Sequence, residues 1–157
     1  MDARSELISV MGPDGPRRAS EADLRRSTTG WRLTEATPTG IAEMLKTSRD
    51  LYCSAVTYYD FFVVGVVWSL MAVEGALRER YAADDKVRLF QLIKRAQTEG
   101  LMEEAWIERL EAARKLRNGF VHARQTGAWS PGMASGAIAA SHELVARLLP
   151  DEDPPCS

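Results

Sequence analysis

The chain has 157 residues, 45% hydrophobic and 27% charged, with a formal net charge of −2. That length suits one domain with tails and a real core, and that charge gives no global electrostatic case for nucleic acid. A polyanion site therefore has to be a local patch.

Cys53 sits in an apolar segment and Cys156 in a polar tail, without metal-ligand or disulfide-framework spacing, which points to a reducing cytoplasm. No apolar run behind a basic start marks the N-terminus for secretion.

Residues 1–38 read as a partly irregular N-terminal arm. Gly12-Pro13-Asp14-Gly15-Pro16 opposes any regular element through its first half. Ser20, followed three residues on by Asp23, is a capping pattern for one short helix. The arginines between Arg17 and Arg26 either touch phosphate or keep a mobile arm solvated. Trp31-Arg32-Leu33 reads as an apolar anchor for a loop that runs to Pro38.

Residues 39–150 are expected to form the helical domain and 151–157 a tail. Thr39 is a plausible N-cap for a first helix over 40–53, with Ile41, Met44, Leu45, Leu51 and Tyr52 at helical spacing. A second, long helix is predicted over 55–82. Its non-ionic run, Phe61 to Val73, is shorter than the ~20 residues a membrane span needs. Extending it back to Leu51 would place Asp60 near the middle of a bilayer at a cost of ~3 kcal/mol. The expectation is no membrane, and a helix buried in the core or shared with a subunit interface.

Asp60 and Glu74 on this helix fall about 21 Å apart along the axis, so they are not a paired-carboxylate site. Glu74 either pairs with Arg78 one turn on or orients a cation from another helix.

Asp84-Asp85 is expected to cap a third helix over 85–98, with Val87, Leu89, Phe90 and Ile93 as its apolar stripe and Lys86, Arg88, Lys94 and Arg95 outside. A fourth helix over 103–115 turns Trp106, Ile107, Leu110 and Ala113 inward, its acids early and bases late as the helix dipole favours. Asn118-Gly119 reads as its end or as a kink. Ser130 as N-cap and Pro131 at the first helical position open a last helix, 133–149, whose small residues let a neighbour approach closely. The fold class is all-α, a bundle of four to five helices with one long central apolar helix.

The chemistry-bearing stretch is Leu116-Arg117-Asn118-Gly119-Phe120-Val121-His122-Ala123-Arg124, and no carboxylate lies between Ala112 and His142. The two histidines, with no Cys or carboxylate at ligand spacing, give no metal-ligand pattern, and there is no glycine-rich phosphate loop or nucleophile elbow. Metal-free phosphodiester cleavage of RNA needs least: a histidine as base or acid, a guanidinium fork on phosphate oxygens, and an amide to assist. One His122 cannot serve as acid and base in one step. Either His142 supplies the second group or a two-fold dimer brings two copies of His122 together. On an ideal helix Arg117 and His122 lie about 140° apart, so a shared site needs a break at Asn118-Gly119 or residues that serve different protomers. The structural alternative is that His122 caps a helix while Arg117 pairs with Glu111 or Glu74.

Arg117-Asn118-Gly119-Phe120-Val121-His122 resembles the R-x(4–6)-H signature of HEPN domains, with Asn after Arg and an apolar pair before His. The segment Ala72 to Tyr81 resembles the long helix that precedes this motif, and the closing small-residue helix is shared. The resemblance spans about Thr39 to Leu149.

It implies an HEPN-like bundle, a homodimer with motifs facing across the interface, no cofactor and no metal. It also implies, for many members, metal-independent RNA cleavage as a cytoplasmic toxin or defence ribonuclease, with RNA (possibly tRNA) as substrate and an antitoxin or regulatory protein as partner. Arg117 would hold phosphate, His122 would be the acid/base and Asn118 the polar assistant, with Glu74, Lys115 and Arg124 supporting. In toxin members controlled by a nucleotidyltransferase, a tyrosine lies two residues after the histidine; Arg124 stands there, so that adenylylation is not available. Other members are non-catalytic modules that bind a partner protein or a nucleotide.

Overall fold

A computed structural model describes residues 2–121 and 129–151. Among them the fold is all-α: six helices and one two-stranded hairpin.

The chain starts with a 3-10 turn, Ala3–Leu7, and the strands β1 (Ser9–Gly12) and β2 (Gly15–Arg18), paired antiparallel with Ser9 opposite Arg18. The hairpin corrects the expectation that Pro and Gly exclude regular structure here. Gly15 supplies the positive φ, 115°, that the tight turn at Pro13-Asp14 needs, and Pro16 is tolerated because a two-stranded ribbon has only edges. Helix α1 (Glu21–Ser27) follows, closed by the capping box between Ser20 and Asp23. Ile8, Ala19 and Leu24 bury themselves against Tyr52, Phe62 and Trp129, so the arm adds to the core.

Helices α2 (Thr39–Ser54) and α3 (Phe61–Tyr81) are antiparallel neighbours: Ser48 lies over Gly65, Ile41 over Gly75, and the Tyr52 and Phe62 ring centroids are 5.4 Å apart. Pro38, without a side-chain hydrogen bond, takes the N-cap position expected for Thr39. The predicted long helix from residue 55 instead starts at Phe61. The chain reverses over residues 55–60 because only a reversal buries Tyr52, Cys53 and Phe62 in one cluster. Gly65 is required where it is. A Cβ there would sit 3.0 Å from the Ser48 carbonyl oxygen, and Ser48 Oγ donates to the Gly65 carbonyl at 2.7 Å.

Helix α4 (Leu89–Thr98) begins later than expected, because Asp84 accepts from the Lys86 N–H at 2.9 Å in the preceding turn rather than capping a helix. Its buried face is Leu92, Ile93 and Ala96. Phe90, placed by the sequence reading on the apolar stripe, is 43% exposed. Leu89, Leu92, Ile93 and Ala96 already fill the i, i+3, i+4, i+7 pattern, and Phe90 falls about 100° off it.

Helix α5 (Glu104–Val121) runs through Asn118-Gly119, which corrects the expected end or kink there. A glycine inside a helix costs about 1 kcal/mol relative to alanine. Leu116 and Phe120, packed on the core cluster either side of it, offset that.

Helix α6 (Pro131–Leu148) starts as expected, with Ser130 Oγ accepting from the Met133 N–H at 3.1 Å and Pro131 at the first turn. It packs on α3 with the Ser69 and Ser141 hydroxyls 3.0 Å apart. Helix α3 alone among the described residues is long and apolar enough to cross a membrane, and half of that stretch is buried by its neighbours.

A candidate polyanion cleft between α3, α4 and α5

Glu74 projects from the buried run of α3 and is 14% exposed. Its Oε1 accepts from Arg78 at 2.8 Å and its Oε2 accepts a short contact from Arg117 on α5. The two readings left open for Glu74, a partner one turn on and a cation from another helix, therefore both hold. Arg117 also donates to Asn118 Oδ1 at 3.0 Å, which orients the amide beside the guanidinium. Arg114, one turn earlier, pairs with Glu111 at 2.9 Å.

Arg78 reaches further. Its Nη1 donates to the backbone carbonyls of Asp84 at 2.7 Å and Val87 at 3.0 Å, binding the α3–α4 turn to the same guanidinium that holds Glu74.

These residues line an open cleft of about 350 Å³, where five cations (Arg78, Lys86, Arg88, Arg114 and Arg117) face two carboxylates, Glu74 and Asp85. A second cleft of about 420 Å³ shares Glu74, Arg78 and Arg117 and is walled by Met44, Met71 and Gly75. The local excess of positive charge stands out in a chain whose net charge is −2.

The structure thus brings Arg117, Asn118 and Glu74 together. Lys115 is exposed and outside the cleft lining. His122 and Arg124 lie outside the described residues, as does Cys156. Phe120 packs on Trp129 with centroids 5.8 Å apart, and Tyr59 Oη donates to the Trp129 carbonyl.

His142, weighed as a second proton group, lines a different pocket with Trp31 and Arg49 and no residue of the cleft. It is 4% exposed, and its Nδ1 lies 2.7 Å from the Arg32 carbonyl oxygen, which can only accept, so Nδ1 carries the proton. Burial pushes its pKa below the usual histidine value, with the Arg49 charge acting the same way; the hydrogen bond to the Arg32 carbonyl opposes this more weakly. It works as a neutral link between α6 and the loop after α1. Cys53 is fully buried and its thiol pKa is raised by that burial, so it is no nucleophile. Among the described residues, no three His, Cys, Asp or Glu side chains converge as a metal-ligand set.

Sequence reading missed Lys86, Arg88 and Phe90 as cleft residues. The usable signal for Phe90 was spacing: once Leu89, Leu92, Ile93 and Ala96 are assigned inward, it falls on the open side, whereas Lys86 and Arg88 sit in the turn before α4, which spacing does not place. No family model, no curated protein and no solved structure matches the chain.

Proposed function

We propose that the protein is a metal-independent endoribonuclease of HEPN type, a toxin or defence RNase, whose phosphate site is the cleft between α3, α4 and α5. The observation that carries this reading is the charge-unbalanced cleft built around Arg117 and Asn118. A phosphodiester entering it exchanges the Glu74 carboxylate on Arg117 for phosphate oxygens, a bidentate match for guanidinium. His122, next after Val121 in sequence, acts as the acid/base group, since imidazole is the side chain whose ordinary pKa of ~6.5 suits proton transfer at neutral pH. It removes the 2′-hydroxyl proton or protonates the leaving 5′-oxygen, while Arg117 holds the charge that builds on phosphorus.

A homodimer supplies the second copy of His122. Support comes from an apolar stripe on α3: Val64, Trp68 and Met71, at i, i+4 and i+7, are 44%, 37% and 39% exposed and lead directly to Glu74.

The test is incubation of the purified protein with tRNA and total RNA in EDTA, beside His122→Ala. Cleavage by the wild type and its loss in the variant support the reading. Equal cleavage by both, or none by the wild type, sinks it.

A second reading, a non-catalytic helical module that binds a partner protein or a nucleotide, is favoured by the Arg117–Glu74 pair. There Arg117 serves as a bolt between α3 and α5, and His122→Ala leaves partner binding intact.

A further inference from the structure

The cleft extends beyond Arg117 to the start of α4, and that end is built differently. The turn before α4 is fixed: Arg78 holds the carbonyls of Asp84 and Val87, Asp84 accepts from the Lys86 N–H at 2.9 Å, and Gln91 Oε1 accepts from the Arg88 N–H at 2.9 Å. This backbone presents the Lys86 and Arg88 side chains, both exposed, to the cleft. Ten arginines among the described residues, three of them (Arg78, Arg114 and Arg117) in the cleft itself, sit within salt-bridge distance of a carboxylate. Arg88 and Lys86 have no such partner among the described residues, although Asp85 is adjacent in the chain. Beside them Phe90 lines the same cleft with 43% of its surface exposed, an aromatic ring that the core of α4 does not use.

Unpaired cations next to an open aromatic face are what a flexible nucleic-acid strand requires: charges that follow the backbone and a ring on which an unpaired base stacks. A duplex keeps its bases inside and offers such a ring nothing. We propose that the cleft takes single-stranded RNA, with one phosphate at Arg117, a neighbouring phosphate at Lys86 and Arg88, and a base stacked on Phe90. This rests on the ribonuclease reading and specifies its substrate as unpaired RNA, such as a loop or a tail. Lys86, Arg88 and Phe90 are binding residues, distant in role from the proton transfers assigned to His122.

The experiment uses the full chain and fluorescein-labelled 2′-O-methyl RNA, which lacks the attacking hydroxyl and is not cleaved. Anisotropy titrations compare a 12-nucleotide single strand with a blunt duplex of the same length over a range of NaCl, for the wild type, Lys86→Ala/Arg88→Ala, Phe90→Ala and the arm control Arg25→Ala. Circular dichroism melts confirm that each is folded. The single strand should bind about tenfold or more tightly than the duplex. Phe90→Ala should weaken it by about fivefold or more with an unchanged salt slope. The double variant should make the salt slope shallower by about 1.4, the loss of two phosphate contacts on a single strand. Binding of the duplex as tight as the single strand, or all variants within twofold of wild type, overturns this inference while leaving the ribonuclease reading standing. Failure of the wild type to bind either RNA overturns both.

Discussion

Arginines are dense both in the N-terminal arm and around the cleft, yet the two groups are wired in opposite ways. In the arm arginines meet acids at close range: Arg17 with Asp23 at 2.7 Å, Arg25 with Glu21 at 2.8 Å and Asp50 at 3.0 Å, Arg4 with Asp2 at 2.9 Å. The Arg17 guanidinium and the Ser20 hydroxyl hold the Asp23 carboxyl well below the usual carboxylate range. At the cleft Arg78 and Arg117 share Glu74, Arg114 takes Glu111, and Lys86 and Arg88 have no carboxylate within salt-bridge distance among the described residues. The lesson is that local balance, not the number of arginines, separates a surface latch from a candidate phosphate site.

The largest effect expected from breaking this contrast is on catalysis. Arg117→Ala should lower RNA cleavage by about 10²–10⁴-fold, whereas Arg25→Ala should leave it within twofold, measured by single-turnover assays in EDTA. Comparable losses in both would mean that the cleft is not special.

Glu74→Gln removes one of the two carboxylates and sharpens the comparison in two directions. Stability should fall by about 1–3 kcal/mol in urea titrations, because Arg78 and Arg117 lose the charge they share in a half-buried site. RNA binding should tighten, with a steeper salt dependence.

The arm is also held without charge, through His142 and the Arg32 carbonyl, and pH isolates that contact. The folded-state pKa of His142 lies below its unfolded value of about 6.5, so the folded state binds fewer protons than the unfolded chain once pH drops under that value. Its contribution is intact above about pH 6.5 and declines on acidification, by up to about 1.4 kcal/mol per pH unit. Urea unfolding of wild type and His142→Gln at pH 7.5 and 5.5 should show a flatter pH response in the variant.

The smallest effect belongs to the arm's exposed pairs. Arg25→Ala should cost less than about 1 kcal/mol, read from the shift in the urea midpoint, since both its partners are solvent-facing.

Much of the fold was legible because burial imposes a period. Ile41 and Leu45 on α2, Ile107 and Leu110 on α5, and the Ser130-Pro131 start of α6 all follow from spacing and capping chemistry. What escaped were places where tertiary contacts override local preference. Nothing in Ala55 to Asp60 breaks a helix; the reversal there exists because Tyr52 must reach Phe62. Asn118-Gly119 carries a stop signal that the packing of Leu116 and Phe120 overrules.

At the site, the link between Arg117 and Glu74 was readable as one of two alternatives, since a buried acid needs a cation. The reach of Arg78 to two backbone carbonyls was not, because carbonyl acceptors leave no trace in side-chain patterns.

That reach of Arg78 also governs where the chain tolerates added length. The turn between β1 and β2 projects Pro13 and Asp14 at the far end of a small ribbon, and a peptide spliced there stretches no contact with the bundle. The connection between α3 and α4 is clamped at Asp84 and Val87 by one guanidinium, so a spliced residue between them detaches one carbonyl or the other and swings Lys86 and Arg88 away from Arg117. For tagging, permutation or fusion, the proline-rich ribbon is the permissive joint and the short acidic turn is the one that must keep its length.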